Sequence, residues 1–115
     1  MFSLSRANRF YIYHKGADMR KGFDSLSGLV RNEFMQDPLC GDVFVFLNSR
    51  RTHIKFLQWQ GDGFAIFYKR LERGVYELPK NTALSTGELT YQQLLLITEG
   101  ISLLSVVKFK RYQQK

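Results

Sequence analysis

The sequence predicts an α+β domain in which an antiparallel β-sheet of about five strands, with a meander core, carries a helix after strand one and a short C-terminal helix. Three observations predict this class. After Gly41, apolar strand-like runs alternate with short polar turns over a long stretch. Apolar residues at helical spacing fill residues 24–35. A helix-start signal stands at Thr90 and Gln93.

The individual elements follow in chain order from these patterns. Residues 9–15, RFYIYHK, alternate and are rich in aromatic side chains, which is typical of a first strand. The helix of residues 24–35 should end before Asp37-Pro38, because the residue that precedes a proline disfavours helical backbone. Four further strands, separated by gaps short enough for an antiparallel meander, are predicted at residues 43–48, 53–60, 64–71 and 75–79.

A polar linker and a second helix should follow these strands. Residues 80–88, KNTALSTGE, are predicted to be the linker. In the next segment Thr90 and Gln93 form a capping-box pair, and Gly100 supplies a C-terminal stop. A chain of 115 residues has the length of one domain, so we expect a single domain with residues 105–115 as a basic tail.

The third and fourth predicted strands form a hairpin whose turn determines which side chains face each other. Asp62-Gly63 is typical of a two-residue type I′ turn, and that turn places Arg70 opposite Lys55. A three-residue loop that includes Gly61 places Lys69 there instead. Either register sets a cation opposite Lys55, which costs up to about 1 kcal/mol and becomes favourable around a phosphate. Removing the pair should therefore leave stability unchanged or raise it.

The charge balance indicates an anionic partner. The formal net charge is +7 and the pI is near 9.8, which favours nucleic acid, although excess cations also serve simply to solvate a surface. On that second interpretation the cations of the hairpin pair with Glu72 and Glu77 at a solvated strand end. The candidate nucleic-acid contacts are Lys15, Arg20, Lys21, Arg50, Arg51, Lys55, Lys69, Arg70 and Arg73.

The residue inventory favours a binding protein over an enzyme. The chain has 10 acidic residues, and its aspartates fall at positions typical of caps and turns, so no carboxylate cluster is left to hold catalytic metal ions. With Cys40 as the one cysteine and only His14 and His53, neither a disulfide nor a metal site is expected, and no cofactor is indicated. We interpret Cys40 as a small buried residue or a turn neighbour, and Trp59 as a core residue in preference to a base-stacking one.

Six motifs resemble, in order, the accessory protein called TnpB or Orf2 of the insertion sequence sixty-six family of bacteria. The resemblance covers about residues 9–104. Two departures are Gln60, where the family often has an acidic residue, and Glu77-Leu78, where an aromatic is common before the proline. The motifs are MRKGFDSL (19–26), GDVFVF (41–46), RRTHIKFLQW (50–59), GDGF (61–64), YKRLERG (68–74) and Pro79.

This resemblance implies a small protein that is encoded beside a much larger transposase and is required with it for efficient transposition. The transposase would carry the catalytic acids, which agrees with their absence as a cluster here. We therefore expect a non-catalytic, cytoplasmic accessory factor whose partners are the DNA of the element ends and the cognate transposase. The alternative is a protein-interaction module that binds the transposase or another accessory subunit without direct DNA contact.

Overall fold

The computed structural model describes residues 9–78 and 86–99. It confirms the α+β class, with one helix after the first strand and a short helix after the last. The elements are β1 (Phe10–Gly16), α1 (Phe23–Asn32), β2 (Val43–Leu47), β3 (His53–Trp59), β4 (Phe64–Arg70), β5 (Thr86–Leu89) and α2 (Tyr91–Thr98).

The five strands form one mixed sheet in the order β4-β3-β2-β1-β5. Strands β2, β3 and β4 are antiparallel neighbours, as in the predicted meander. Strand β1 instead runs parallel to β2, with Phe10 opposite Val43 and Gly16 opposite Leu47. At this pairing the sheet departs from the expected antiparallel arrangement, because α1 lies between the two strands in the chain and acts as the crossover that parallel neighbours need.

The fifth strand lies elsewhere in the chain than the sequence predicts. Residues 75–78 form no strand, although Tyr76 is completely buried and its N–H donates to the Arg51 carbonyl at 2.7 Å. The observed β5 comes from the predicted linker and pairs antiparallel with β1, with Leu89 opposite Phe10. Pro79, residues 80–85, Gly100 and the predicted tail lie outside the described residues.

The β3–β4 hairpin has neither of the two predicted registers. Trp59 faces Phe64 and Lys55 faces Tyr68, so Gln60 joins a four-residue loop that its N–H closes onto the Gly63 carbonyl at 2.9 Å. Positive φ occurs at Gly61, at 93°, and not at Asp62 or Gly63, which excludes the type I′ turn. The prediction of a cation opposite Lys55 is therefore wrong.

The second helix begins as predicted. The hydroxyl of Thr90 accepts a hydrogen bond from the backbone N–H of Gln93 at 3.0 Å, and the Gln93 side-chain oxygen accepts one from the Thr90 N–H at 2.9 Å. This reciprocal pair satisfies backbone donors that would otherwise lack partners at the helix start. The capping box is thus confirmed.

Apolar side chains cover both faces of the sheet. On one face α1 contributes Leu26 and Val30, and the ring of Phe34 packs edge-on against Phe44 at 5.0 Å. On the other face Leu94 and Ile97 of α2 join the second core cluster. A buried side chain of this size contributes about 1.5–3 kcal/mol relative to exposure, so the two faces account for the cohesion of the domain. The ends of the strands are left to carry polar and charged groups.

Candidate nucleic-acid interface

Strand direction brings three cationic segments to one end of the sheet. The parallel strands β1 and β2 both finish there, β3 starts there and β4 finishes there, as the pairs Gly16–Leu47, Leu47–Ile54 and His53–Arg70 show. We call residues 15–22, 48–52 and 69–74 together the basic end. Apart from Lys55, which lies within β3, every predicted nucleic-acid contact falls in it.

The turn between β2 and β3 is built around Asn48. The Asn48 carboxamide oxygen accepts hydrogen bonds from the backbone N–H groups of Thr52 and His53 at 2.9 and 3.0 Å. The Asn48 carbonyl accepts the Arg51 N–H at 3.0 Å, and Arg51 adopts a φ of 60°, which is uncommon for a residue with a side chain. This network holds the turn in one shape and leaves Arg50 and Arg51 exposed.

In the loop after β1, Arg20 is held by Asp18. The Arg20 guanidinium donates to both carboxylate oxygens, with the shortest bond, from Nη2 to Oδ2, at 2.7 Å. Hydrogen bonds from the Arg20 side chain and backbone lower the pKa of Asp18 to about 2. Because the Arg20 side chain is 92% exposed, this ion pair is screened by solvent and adds little stability.

Lys55 points into the protein and not towards solvent. Only 7% of this residue is exposed, and its ammonium donates to the carbonyl oxygens of Met19 and Lys21 at 2.7 and 2.8 Å. The same ammonium stands 4.6 Å from the centroid of the Tyr68 ring, which is a cation–π distance. Lys55 therefore fastens the loop after β1 to the middle of the sheet.

At the end of β4 the cations have mixed environments. Arg70 donates to the Glu72 carboxylate from Nε and Nη2 at 3.2 and 3.1 Å, as the solvated-end interpretation predicted for this acid. The Lys69 ammonium lies 3.4 Å from the Thr98 carbonyl at the C-terminal end of α2, where a cation complements the helix dipole. Arg73 is exposed.

The nine predicted contacts therefore fall into groups with different availability. Lys55 has a structural role, Lys69 caps a helix, and Arg20 and Arg70 each hold a carboxylate. The remaining cations make no side-chain hydrogen bond or ion pair with any described residue; they are Lys15, Lys21, Arg50, Arg51 and Arg73.

Three hollows in the described part of the chain open at the basic end, and one of them, of about 430 Å³, is lined in part by Asp18, Ser49 and Arg50. A pocket of about 160 Å³ is lined in part by His14, Asn48 and Arg51, and the Nδ1 atom of His14 is buried there without a hydrogen-bond partner among the described residues. Burial and the Arg51 charge lower the pKa of His14, so its ring stays neutral at neutral pH. A cleft of about 400 Å³ is lined by His53, Tyr68, Arg70 and Glu72.

Sequence reasoning missed Tyr68 and the organising role of Asn48. Tyr68 lies next to Lys55 only in the observed register, so the error in turn length concealed the pairing. An asparagine that follows a strand and precedes a turn is a recognisable signal for side-chain bonds to the backbone, and it was available at Asn48.

The residues considered for other chemistry lie in ordinary structural settings. Cys40 is an exposed turn neighbour and not a buried residue, and its Sγ donates to the Asp42 carboxylate at 3.3 Å; partial burial of the sulfur atom alone is the main cause that raises the pKa of the thiol. Trp59 is half-buried and packs edge-on against Phe64 at 5.0 Å, but it belongs to neither core cluster, so the prediction that it is a core residue is wrong. Among the described residues no three His, Cys, Asp or Glu side chains come together as metal ligands, and no helix there is long and apolar enough to cross a membrane.

The fold and the site define a small basic α+β protein whose cations gather at one end of a mixed sheet. The chain belongs to the IS66 Orf2-like family, whose model, described as "IS66 Orf2 like protein", matches residues 8–108. This match confirms the resemblance carried by the sequence motifs and supports a role associated with transposition.

Two relatives from Sinorhizobium fredii are similar to the chain. The uncharacterized protein y4jC is 34% identical over 79 residues, which cover 69% of this chain and 68% of the relative. The uncharacterized protein y4hO is 34% identical over 87 residues, which cover 72% of this chain and 76% of the relative. No solved structure matches the chain significantly.

Proposed function

We propose that this protein is a non-catalytic accessory factor in the transposition of a bacterial insertion sequence, that it acts in the cytoplasm, and that it binds the DNA of the element through the phosphates of the duplex. The observation that carries the proposal is the convergence of three separate cationic segments on the basic end. Family membership supports the transposition role. The arrangement of the cations supports the contact with DNA.

The available cations determine how strongly salt should affect binding. Lys15, Lys21, Arg50, Arg51 and Arg73 have no carboxylate partner among the described residues, so phosphate binding breaks no ion pair there. Each neutralised phosphate contributes a slope of about −0.9 in log K against log salt, so four or five contacts give a slope of about −3.6 to −4.5. Phosphate contacts carry no sequence information by themselves, and specificity for the terminal inverted repeat is therefore a separate question.

The test measures the affinity for duplex DNA by fluorescence anisotropy over a range of salt concentrations. Arg50→Gln and Arg73→Gln should each weaken binding by a similar factor for inverted-repeat and random duplexes and reduce the salt slope by about one unit. Arg31→Gln is the matched control, because Arg31 is an exposed arginine in the last turn of α1 and lies outside the basic end. It should leave both quantities unchanged.

Three results would contradict the DNA-binding proposal. The first is no binding at about 50 mM salt, where phosphate contacts are strongest. The second is an equal loss in Arg31→Gln and Arg50→Gln, which would mean that total charge acts and not its position. The third is normal DNA binding by Arg50→Gln together with lost capture of the transposase, in which case the basic end meets acidic groups on a protein surface.

The non-catalytic part of the proposal has its own test. Supercoiled plasmid incubated with the purified protein and Mg²⁺ or Mn²⁺ should remain intact. Nicking that persists through purification and disappears when one particular Asp or Glu is replaced would contradict this part, since such a loss identifies a catalytic carboxylate.

A further inference from the structure

Tyr68 is an aromatic side chain that the fold leaves open at the basic end. It is 51% exposed, whereas most aromatic residues of the sheet are packed into the two cores. Its position on β4 lies two residue pairs inward from His53 and Arg70, which face each other at the strand ends, so the Tyr68 and Arg70 side chains lie on the same face of the sheet. The ring therefore stands among the cations of the basic end.

The Tyr68 ring is held in place by a buried charge. The Lys55 ammonium lies 4.6 Å from the ring centroid, and its hydrogen bonds to the Met19 and Lys21 carbonyls fix where that ammonium is. An exposed ring normally loses rotamer freedom when a ligand stacks on it, at a cost in free energy. Because Lys55 already restricts the ring in the folded protein, stacking of a ligand should remove less rotamer freedom here.

The cleft beside the ring offers donors and an acceptor. The His53 Nδ1 atom lies 3.3 Å from the Asn48 amide nitrogen and 2.8 Å from the Thr52 hydroxyl. Because the Asn48 oxygen is engaged by backbone N–H groups, its amide nitrogen faces Nδ1 as a donor, and this contact is a hydrogen bond in the tautomer that carries the His53 proton on Nε2. That N–H makes no hydrogen bond with a described residue.

Arg70 and Glu72 complete the cleft. Their ion pair is solvent-exposed, with 66% and 78% of the two side chains accessible, so it is weak enough to rearrange around a phosphate. The cleft volume of about 400 Å³ is enough for one nucleobase with its sugar.

We infer that this cleft binds one unpaired nucleobase of a single strand, stacked on Tyr68, with the adjacent phosphate on Arg70 and the base edge facing His53 Nε2. The inference rests on the proposed function, because it uses the cations of the same end to hold the strand. It goes beyond duplex binding, because stacking needs a base that is free of its partner. A base stacked on an aromatic side chain gains free energy whatever its identity, so we expect little sequence preference.

The test compares single-stranded and duplex DNA of one sequence at about 50 mM salt. Tyr68→Leu should lower affinity for the single strand about 5- to 150-fold, the range found when a stacking aromatic is removed, and leave duplex affinity unchanged. Tyr68→Phe retains the ring and should remain within about twofold of the wild type. Phe23→Leu is the matched control, because Phe23 is 48% exposed but makes no cation–π contact with a described residue.

A spectroscopic measurement reports the stacking directly. A strand that carries 2-aminopurine should lose fluorescence on binding to the wild type and to Tyr68→Phe, but much less on saturating binding to Tyr68→Leu. An RNA strand of the same sequence separates two sources of the same chemistry. The site binds the kind of strand, DNA or RNA, for which Tyr68→Leu has a lower affinity than the wild type.

The outcomes separate this inference from the function on which it rests. If the wild type binds neither duplex nor single strand, the proposed function fails and the inference fails with it. If the wild type binds both duplex and single-stranded DNA, but Tyr68→Leu weakens binding to neither the DNA nor the RNA single strand, the inference alone is overturned. A loss in Phe23→Leu as large as in Tyr68→Leu would also overturn it, since stacking would then not depend on the cleft.

Discussion

Replacing Lys55 with methionine should destabilise the protein, although Lys55 lies on a sheet where removal of a cation was expected to be harmless. In the observed register no cation faces Lys55, so the substitution relieves no repulsion. It removes two hydrogen bonds, to the Met19 and Lys21 carbonyls, and the contact with the Tyr68 ring. The predicted sign of the effect is thus reversed.

The magnitude follows from these contacts. A hydrogen bond to a charged group contributes about 1.5–3 kcal/mol, and we take the lower value because the accepting carbonyls belong to a loop that water can reach. Two such bonds amount to about 3 kcal/mol. Methionine presents more apolar surface than lysine at this buried position, and burying it stabilises the folded protein by about 0.8 kcal/mol. We therefore expect Lys55→Met to lower the free energy of unfolding by about 2 kcal/mol, which is a large share of the 5–15 kcal/mol typical of a domain.

Urea denaturation followed by circular dichroism measures this loss as a lower midpoint at unchanged slope. Lys69→Met is the control, because Lys69 lies in the exposed last part of β4 and its side chain reaches a single carbonyl at 3.4 Å. It should change the free energy of unfolding by less than about 0.5 kcal/mol. Equal effects of the two substitutions, or a Lys55→Met variant as stable as the wild type, would refute the structural role of Lys55.

Three further predictions concern the turn, the loop and α2. Gly61→Ala should cost about 1 kcal/mol because Gly61 has positive φ, whereas Gly63→Ala should be nearly neutral; neither added Cβ meets an atom within 4 Å, and urea denaturation compares the two. An NMR titration should find the Asp18 carboxyl at a pKa of about 2, returning towards 3.8 in Arg20→Gln. Since folding lowers this pKa, the stabilising effect of Asp18 is present above pH 3.8 and is lost as the pH falls through about 2. Thr90→Ala should cost about 1 kcal/mol in the same denaturation assay, because it removes the hydroxyl that accepts the Gln93 backbone N–H.

Local patterns predicted the elements whose stability is decided locally. The capping box at Thr90 needs only residues within one helical turn, and it stands where it was expected. The apolar spacing around Leu26 and Val30 likewise predicted α1, although the helix ends at Asn32. These signals depend on neighbours in the sequence and not on the rest of the fold.

The features that were missed depend on distant partners. Strand β5, with the sequence TGEL, shows no clear alternation, and its strand character comes from pairing with β1. The hairpin register depended on which residue of the loop adopts positive φ. Asp62-Gly63 was a strong signal for a two-residue turn, but the observed loop has its positive φ at Gly61. An error of one residue in loop length changes every cross-strand pair, which is why Tyr68 was not recognised as the neighbour of Lys55.

The candidate site shows the same division between residue types and their arrangement. The cations themselves are evident in the sequence, but their meeting at one end depends on the parallel pairing of β1 with β2. An antiparallel β1 would finish at the opposite end of the sheet, and Lys15 and Lys21 would then lie far from Arg50 and Arg51. The crossover through α1 is therefore the step of the fold that assembles the basic end.

Gathering like charges raises their mutual repulsion, and the structure reduces this cost in different ways for different cations. Arg20 and Arg70 hold exposed carboxylates, and Lys69 lies at a helix end, so these groups are stabilised before any ligand arrives. Arg50 and Arg73 have no such partner among the described residues, so a phosphate can approach them without displacing an acid. Binding should consequently depend most on the second group, while Lys55, buried between the loop and the sheet, should affect binding only through the position of the loop. A substitution at Arg50 that lowers affinity without lowering stability, beside one at Lys55 that lowers stability first, is the pattern this division requires.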